Sequence, residues 1–247
     1  MSFEDQTVVV TGGTRGLGRA ISTAFLEAGA RVRAVYRAGD GAAAAFADAV
    51  GPLAGERLVL DRVDVSDPGA VEGFWARIED ECPAGVQVLV NNAGIRRDQL
   101  LALTKPEDWA AVIAANLTSG FLMSRLAVRN MLGRRYGRIV FITSPAASAG
   151  FEGQASYAAS KAGQMGMMRS LAREVARKGI TVNCVSPGFV DTELLADLPA
   201  ETLARHKASV PMRRFARPEE VAWAVASLAS REASYVTGAT LEVAGGL

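Results

Sequence analysis

Histidine and cysteine are almost absent from this chain, and neither sign of charge is in excess. The one histidine, His206, and the two cysteines, Cys82 and Cys184, are spread over 247 residues. No CxxC spacing joins the cysteines, so neither a disulfide framework nor a zinc site is indicated; buried free thiols are expected, and no metal. No GxSxG turn accompanies the histidine, which disfavours a serine hydrolase. Lys and Arg total 27 against 26 Asp and Glu, a formal net charge of +1. That balance gives no reason to expect nucleic acid or an anionic membrane as a partner. The opening Met1-Ser2-Phe3-Glu4-Asp5 lacks the basic-then-apolar order of a signal peptide. The best apolar run, residues 221–230, is bounded by Glu220 and Arg231 and is too short for a bilayer. A soluble, cytoplasmic protein is expected.

Apolar residues make up 49% of the chain, enough for a large core. Runs of β-branched character recur at 7–10, 32–35, 57–63, 86–90, 138–143, 181–185 and 240–243, which predicts seven strands. Helical periodicity lies between them at 19–28, 71–81, 107–132, 155–177 and 218–229, and the alanine-rich stretch 41–50 reads as a further surface helix. Such alternation predicts an α/β fold: a Rossmann-like, doubly wound, seven-stranded parallel sheet with helices on both faces. No linker or repeat interrupts it, so residues 1–247 are expected to form one domain. Between 191 and 218 the pattern weakens around Pro199 and Pro211, and a segment of that length inside a compact domain is usually functional.

The first strand runs straight into Thr11-Gly12-Gly13-Thr14-Arg15-Gly16-Leu17-Gly18 and then a helix. Glycines at 12, 16 and 18 allow a sharp turn and close backbone approach to a pyrophosphate, which the helix N-terminus attracts. In a βαβ unit this predicts dinucleotide binding by Gly12, Thr14, Arg15, Gly16, Leu17 and Gly18. The end of the second strand reads Tyr36-Arg37-Ala38, with no carboxylate to repel a 2′-phosphate. Arg37, joined by Arg15, is placed to clamp one, so NADPH/NADP+ is expected over NADH, with solvated surface arginines as the alternative. Asp64 and Val65 end the third strand, where they suit an adenine contact or a turn before Ser66. Asn91-Asn92-Ala93-Gly94 ends the fourth, placing Asn92, Ala93 and Gly94 where open α/β sheets bind ligands.

The glycine turn, Asn91 to Gly94, Ser144, Tyr157-x3-Lys161 and Pro187-Gly188 together resemble the short-chain dehydrogenase/reductase family, over almost the whole chain. Within it the chain looks most like the bacterial β-ketoacyl-acyl-carrier-protein reductases, through Gln154 to Gly163 and Tyr235-Val236-Thr237-Gly238. Physical reasoning assigns matching roles. Hydride delivered to a carbonyl leaves an alkoxide, so a proton donor must meet the oxygen, and Tyr157 suits that task. Lys161 lies one helical turn further on, where its ammonium should lower the Tyr157 pKa toward neutrality and join the cofactor contacts. Ser144 would hold the carbonyl oxygen, with Thr143 as runner-up. The resemblance implies that Asn116, polar within the apolar segment 107–132, joins Tyr157, Lys161 and a water in a proton relay; a buried amide at a helix kink is compatible with this. It also implies that Pro187, Gly188, Val190 and Thr192 face the nicotinamide and that 189–210 is a substrate lid.

Two departures bear on the substrate: Pro145 follows Ser144 where smaller or β-branched residues are more usual, and the chain stops at Leu247, close behind Gly245-Gly246. The resemblance implies a ketone substrate, free or on an acyl-carrier protein, with Arg134, Arg135 and Lys178 as docking cations. Helix-dipole compensation explains those three equally well. It also implies a homotetramer, or a dimer, through 107–132 and 155–177, and apolar residues on more than one face of 165–168 agree, as would a plain core contact. A 3-oxoacyl-[acyl-carrier-protein] reductase is the leading expectation. A ketoreductase that tailors aromatic or other polyketides is the alternative, and a non-catalytic NADP(H) sensor the alternative of another class.

Overall fold

A computed structural model describes residues 1–193 and 199–247. All seven expected strands form one parallel sheet: β1 (Thr7–Thr11), β2 (Arg31–Tyr36), β3 (Leu58–Arg62), β4 (Val88–Asn91), β5 (Gly137–Ile142), β6 (Ile180–Pro187) and β7 (Thr240–Val243). Their order is β3-β2-β1-β4-β5-β6-β7. The chain therefore winds outward from β1 in one direction and from β4 in the other, and the switch between β1 and β4 opens a crevice at the carboxyl edge.

Burial explains why these runs became strands. β4, β5 and β6 are buried at every residue, as the central strands of a parallel sheet must be when helices cover both faces. Successive side chains serve opposite cores. Val8 and Val10 join Phe25, Phe46 and Val225 on one face, while Val9 joins Phe74, Met123 and Phe141 on the other. Each fully buried side chain of this size contributes roughly 1.5–3 kcal/mol. Arg33 in β2 lies among the apolar residues because Asp61 of β3 takes its guanidinium bidentately, at 2.8 Å on both arms.

The helices are α1 (Gly16–Glu27), α2 (Asp40–Ala54), α3 (Pro68–Glu81), α4 (Pro106–Ile113), α5 (Ser119–Leu132), α6 (Ala146–Ala149), α7 (Ala155–Val175), α8 (Ala200–Ser209) and α9 (Pro218–Ala229) among the described residues. Three features depart from the sequence reading. Helix α1 begins at Gly16 rather than Arg19, because the glycine turn feeds it directly. The expected single helix over 107–132 is split by a π-helical turn, Ala114–Thr118, centred on Asn116. Helix α6 is short and unexpected, and starts where Pro145 fixes φ at −55°.

The apolar-run reading is also corrected. The helical stretch Pro106–Leu132, not 221–230, is long and apolar enough by length and composition to cross a membrane, with 44% of its window buried in the fold. Its apolarity serves the core: Met123, Ala127 and Met131 pack against the sheet, and they and Val112 are at 0% exposure.

Candidate active site

A crevice of about 1120 Å³ runs along the carboxyl ends of the strands. Every expected cofactor residue lines it except Lys161, which is buried behind its wall, and so do Ser144 and Tyr157. The glycine turn is held by neighbouring backbone and by one hydroxyl. Thr11 Oγ1 donates to the Val90 carbonyl (3.3 Å) and accepts the amides of Asn92 and Ala93, both at 3.0 Å. Asn92 Nδ2 donates to the carbonyls of Thr11 (2.9 Å) and Gly12 (3.2 Å). Asn92 thus buttresses the turn. A Cβ at Gly18 would collide with the Gly12 carbonyl oxygen and lie 2.6 Å from Asn92 Nδ2, so only glycine lets α1 start so close to β1.

These residues fit a dinucleotide. No side chain caps the first turn of α1, whose N–H groups therefore face the crevice unspent. Arg15 is the N-cap residue, and Arg37 stands exposed at the end of β2. Arg37 Nη1 lies 3.8 Å from Asp64 Oδ2, a contact the sequence did not suggest. Asp64 also accepts from the Ser66 amide (2.9 Å) and hydroxyl (2.6 Å), so it opens a turn and lines the crevice at once.

The chemical residues come from three elements. Tyr157 and Lys161 share one face of α7, with Lys161 Nζ 5.6 Å from the centre of the Tyr157 ring. Nζ donates to the Ile142 carbonyl at 2.6 Å, which anchors α7 to the end of β5. Burial pushes Lys161 down to about 8. Burial also raises the Tyr157 phenol, against an opposing hydrogen bond with Ser144 and the positive charge of Arg96. The expectation that Lys161 lowers Tyr157 toward neutrality is corrected here, because desolvation outweighs the favourable charges and the ammonium is turned to a carbonyl. Thr143 and Ser144 both line the crevice, but Thr143, the runner-up, spends its hydroxyl on the Val185 carbonyl at 3.1 Å, whereas Ser144 pairs with the Tyr157 phenol.

Asn116 is fully buried behind this wall. The π turn projects its side chain to the loop after β4: Oδ1 accepts the Ile95 amide (2.8 Å), and Nδ2 donates to the Ile95 carbonyl and to Ser160 Oγ, both at 3.0 Å. Its main-chain carbonyl, released from regular helical bonding, accepts Gln164 Nε2 at 2.7 Å. A Cβ on Gly94 would meet Asn116 Oδ1 at 3.0 Å and Lys161 Nζ at 3.8 Å, so Gly94 packs against both.

Pro187, Gly188, Val190 and Thr192 close the crevice beyond β6, pinned by amide bonds from Asp191 to Ala216 and from Ala216 to Phe189, both at 2.9 Å. Residues 194–198 of the expected lid 189–210 lie outside the described residues. Arg96 and Asp98, which line the crevice beside Tyr157, escaped the sequence reading, and Gln154 was noted there without a site role; Phe189, 4.5 Å from His206 between ring centres, belongs to the expected lid. Arg96 and Asp98 follow Gly94 directly, and charged residues just past a strand's carboxyl end are a signal that was available.

The basic residues expected to dock a carrier protein sit elsewhere. Arg134 and Arg135 follow α5, and Lys178 follows α7, just before β5 and β6 begin, so within one chain they occupy the edge opposite the crevice. Arg134 donates to the carbonyls of Asn130 (2.6 Å) and Pro83 (2.9 Å), and Arg135 to that of Arg177 (3.0 Å). Met168 is fully buried in the core, with Met165 and Met167 packed against it. Of the two free thiols, Cys184 is buried and Cys82 half-buried.

Residues 12–247 match a family model described as Enoyl-(Acyl carrier protein) reductase. The chain is 44% identical to the 3-oxoacyl-[acyl-carrier-protein] reductase FabG of Escherichia coli (strain K12), over 100% of this chain and 99% of that protein. Identity to the Vibrio cholerae protein of the same name is 43%, with the same coverage. A crystal structure of a provisionally assigned gluconate dehydrogenase from Agrobacterium tumefaciens superposes with a TM-score of 0.94 at 31% identity, covering 99% of this chain and 96% of that one.

Proposed function

The chain belongs to the short-chain dehydrogenase/reductase family and is an oxidoreductase acting on CH–OH/C=O groups; from that premise we propose that it is an NADPH-dependent 3-oxoacyl-[acyl-carrier-protein] reductase. The observation that carries the proposal is the convergence of Ser144, Tyr157 and Lys161 beside a glycine turn built for a dinucleotide. The names of relatives at 44% and 43% identity support the substrate.

When bound, the reduced nicotinamide supplies hydride to the carbonyl carbon. Tyr157 donates its proton to the carbonyl oxygen as negative charge develops there. Its raised pKa suits a donor, since the phenol keeps its proton at neutral pH until a stronger base forms. Ser144 donates a hydrogen bond to the same oxygen. Lys161, oriented by the Ile142 carbonyl, stabilises the phenolate that remains. Asn116 fixes the backbone of Ile95, and with it the wall facing the substrate.

Arg15 and Arg37 favour NADPH by offering guanidinium donors to a 2′-phosphate, with no carboxylate at 36–38. A homotetramer or dimer is proposed through α5 and α7, supported by Phe121, 48% exposed on α5. Since Arg134, Arg135 and Lys178 lie at the far edge, a carrier protein docked on them would serve the crevice of a neighbouring subunit. A cytoplasmic role in fatty acid biosynthesis follows from this reading.

The test is NADPH oxidation with a 3-oxoacyl thioester, on carrier protein and free, alongside a bulky cyclic ketone. Reduction of the thioester, with NADPH preferred over NADH by about tenfold or more and the preference lost in Arg37→Asp, is expected. Reduction of the cyclic ketone alone, or equal use of both cofactors, would overturn it.

A further inference from the structure

Beside Tyr157 the crevice carries a polar cluster that the reduction of a simple ketone does not need. Arg96 and Asp98 stand in the loop after β4, and Gln154 precedes the first turn of α7, three residues before Tyr157. Asp98 Oδ2 forms an ion pair with Arg96, 3.1 Å from its Nε, and accepts from Gln154 Nε2 at 3.3 Å. One carboxylate therefore holds two donor side chains from two elements, and all three line the crevice. With the ion pair on the Nε side, the Nη edge of the fork is left for another acceptor. The charge of Arg96 acts on both Tyr157 and His206, and all three line the same crevice.

We infer that Arg96 is a specificity-determining residue that hydrogen-bonds a second, neutral carbonyl oxygen of the substrate, that of an ester or thioester one carbon removed from the ketone being reduced. The lining charges choose a neutral acceptor over an anion. Among the described residues on this side of the crevice, Arg96 and Arg205 face three carboxylates, Asp98, Glu152 and Glu193. A free carboxylate would meet more negative than positive charge there, whereas a carbonyl needs only a donor. A ketone held also by its second carbonyl has its reacting carbon fixed in position, and misplacement there is costly in rate.

This inference rests on the 3-oxoacyl reading, and the experiment separates the two. Wild type, Arg96→Ala and Arg96→Lys are assayed with a small 3-oxo ester and with a monoketone of equal size. Carrier-bound 3-oxoacyl thioester is given to the wild type alone. Arg96→Ala is expected to reduce the preference for the 3-oxo ester over the monoketone, as a ratio of kcat/KM, by about tenfold, the worth of one hydrogen bond to a charged donor. The loss should appear in kcat as well as KM, since positioning is lost with binding. Arg96→Lys should recover part of it, because it keeps the charge without the fork. Because the charge of Arg96 also opposes the rise of the Tyr157 phenol, any shift of the pH midpoint in Arg96→Ala should be the same for both substrates, whereas the loss of ratio belongs to the 3-oxo ester. An unchanged ratio, with equal losses on both substrates, would overturn the inference. Should the wild type ignore the carrier-bound thioester while Arg96→Ala still lowers the ratio, the 3-oxoacyl-carrier reading falls and the role of Arg96 stands.

Discussion

The two halves of the crevice are built from different materials. The half proposed to hold the nucleotide consists of strand ends and backbone: a glycine turn with no room for a Cβ at Gly18, tied by Thr11 and Asn92 to the end of β4. The substrate half consists of side chains on loops, among them Arg96, Asp98 and Gln154, and of the segment beyond Val190. Backbone contacts recognise what every dinucleotide shares, whereas loop side chains are free to differ with the ketone. Tyr157 and Lys161 stand at the seam, on a long helix anchored to β5.

That contrast sharpens into measurements on either side of the seam. Lys161→Met should lower turnover by about 10²-fold or more, since it removes the charge that stabilises the phenolate. It should also relieve the cost of burying the ammonium, against the loss of its bond to the Ile142 carbonyl. Lys161 ionises near 10.5 in the unfolded chain and about 8 when buried, so the unfolded chain holds the extra proton between those values and wild-type stability rises with pH across that window. Below pH 8 the full penalty of about 3 kcal/mol is present. Thermal melts should therefore favour the Met variant most at neutral pH, and the advantage should fade toward pH 10.5. An advantage that grows with pH would contradict the burial argument.

A smaller effect is expected at the rigid half. Gly18→Ala forces a methyl group against the Gly12 carbonyl and Asn92, at a cost of about 1–3 kcal/mol. Cofactor affinity, read by fluorescence titration, should fall about tenfold, together with a lower melting temperature. Unchanged affinity would mean that the turn does not cradle the cofactor.

Legibility in the sequence follows the same division. The seven strands were readable because a doubly covered parallel sheet demands uninterrupted apolar runs, as in Val88-Leu89-Val90. The crevice residues around the glycine turn were readable because their placement depends on glycine and on register after a strand. The break at Asn116 was readable only as a helix kink around a buried amide, not as a π turn with named partners, since its cause is tertiary: the amide reaches Ile95 and Ser160, far away in sequence. Helix periodicity alone cannot report such a partner. Nor could charge counts place Arg134, Arg135 and Lys178, whose edge of the sheet is set by the direction of α5 and α7. The pKa of Tyr157 failed for a similar reason, because the i,i+4 pairing shows the nearby ammonium but not the burial that outweighs it.

The most direct measurement is Tyr157→Phe, which deletes one hydroxyl at the seam and leaves both halves in place. Turnover on the best ketone should fall by about 10²-fold or more while the dissociation constant for NADPH changes by less than about twofold. Undiminished turnover would contradict Tyr157 as proton donor.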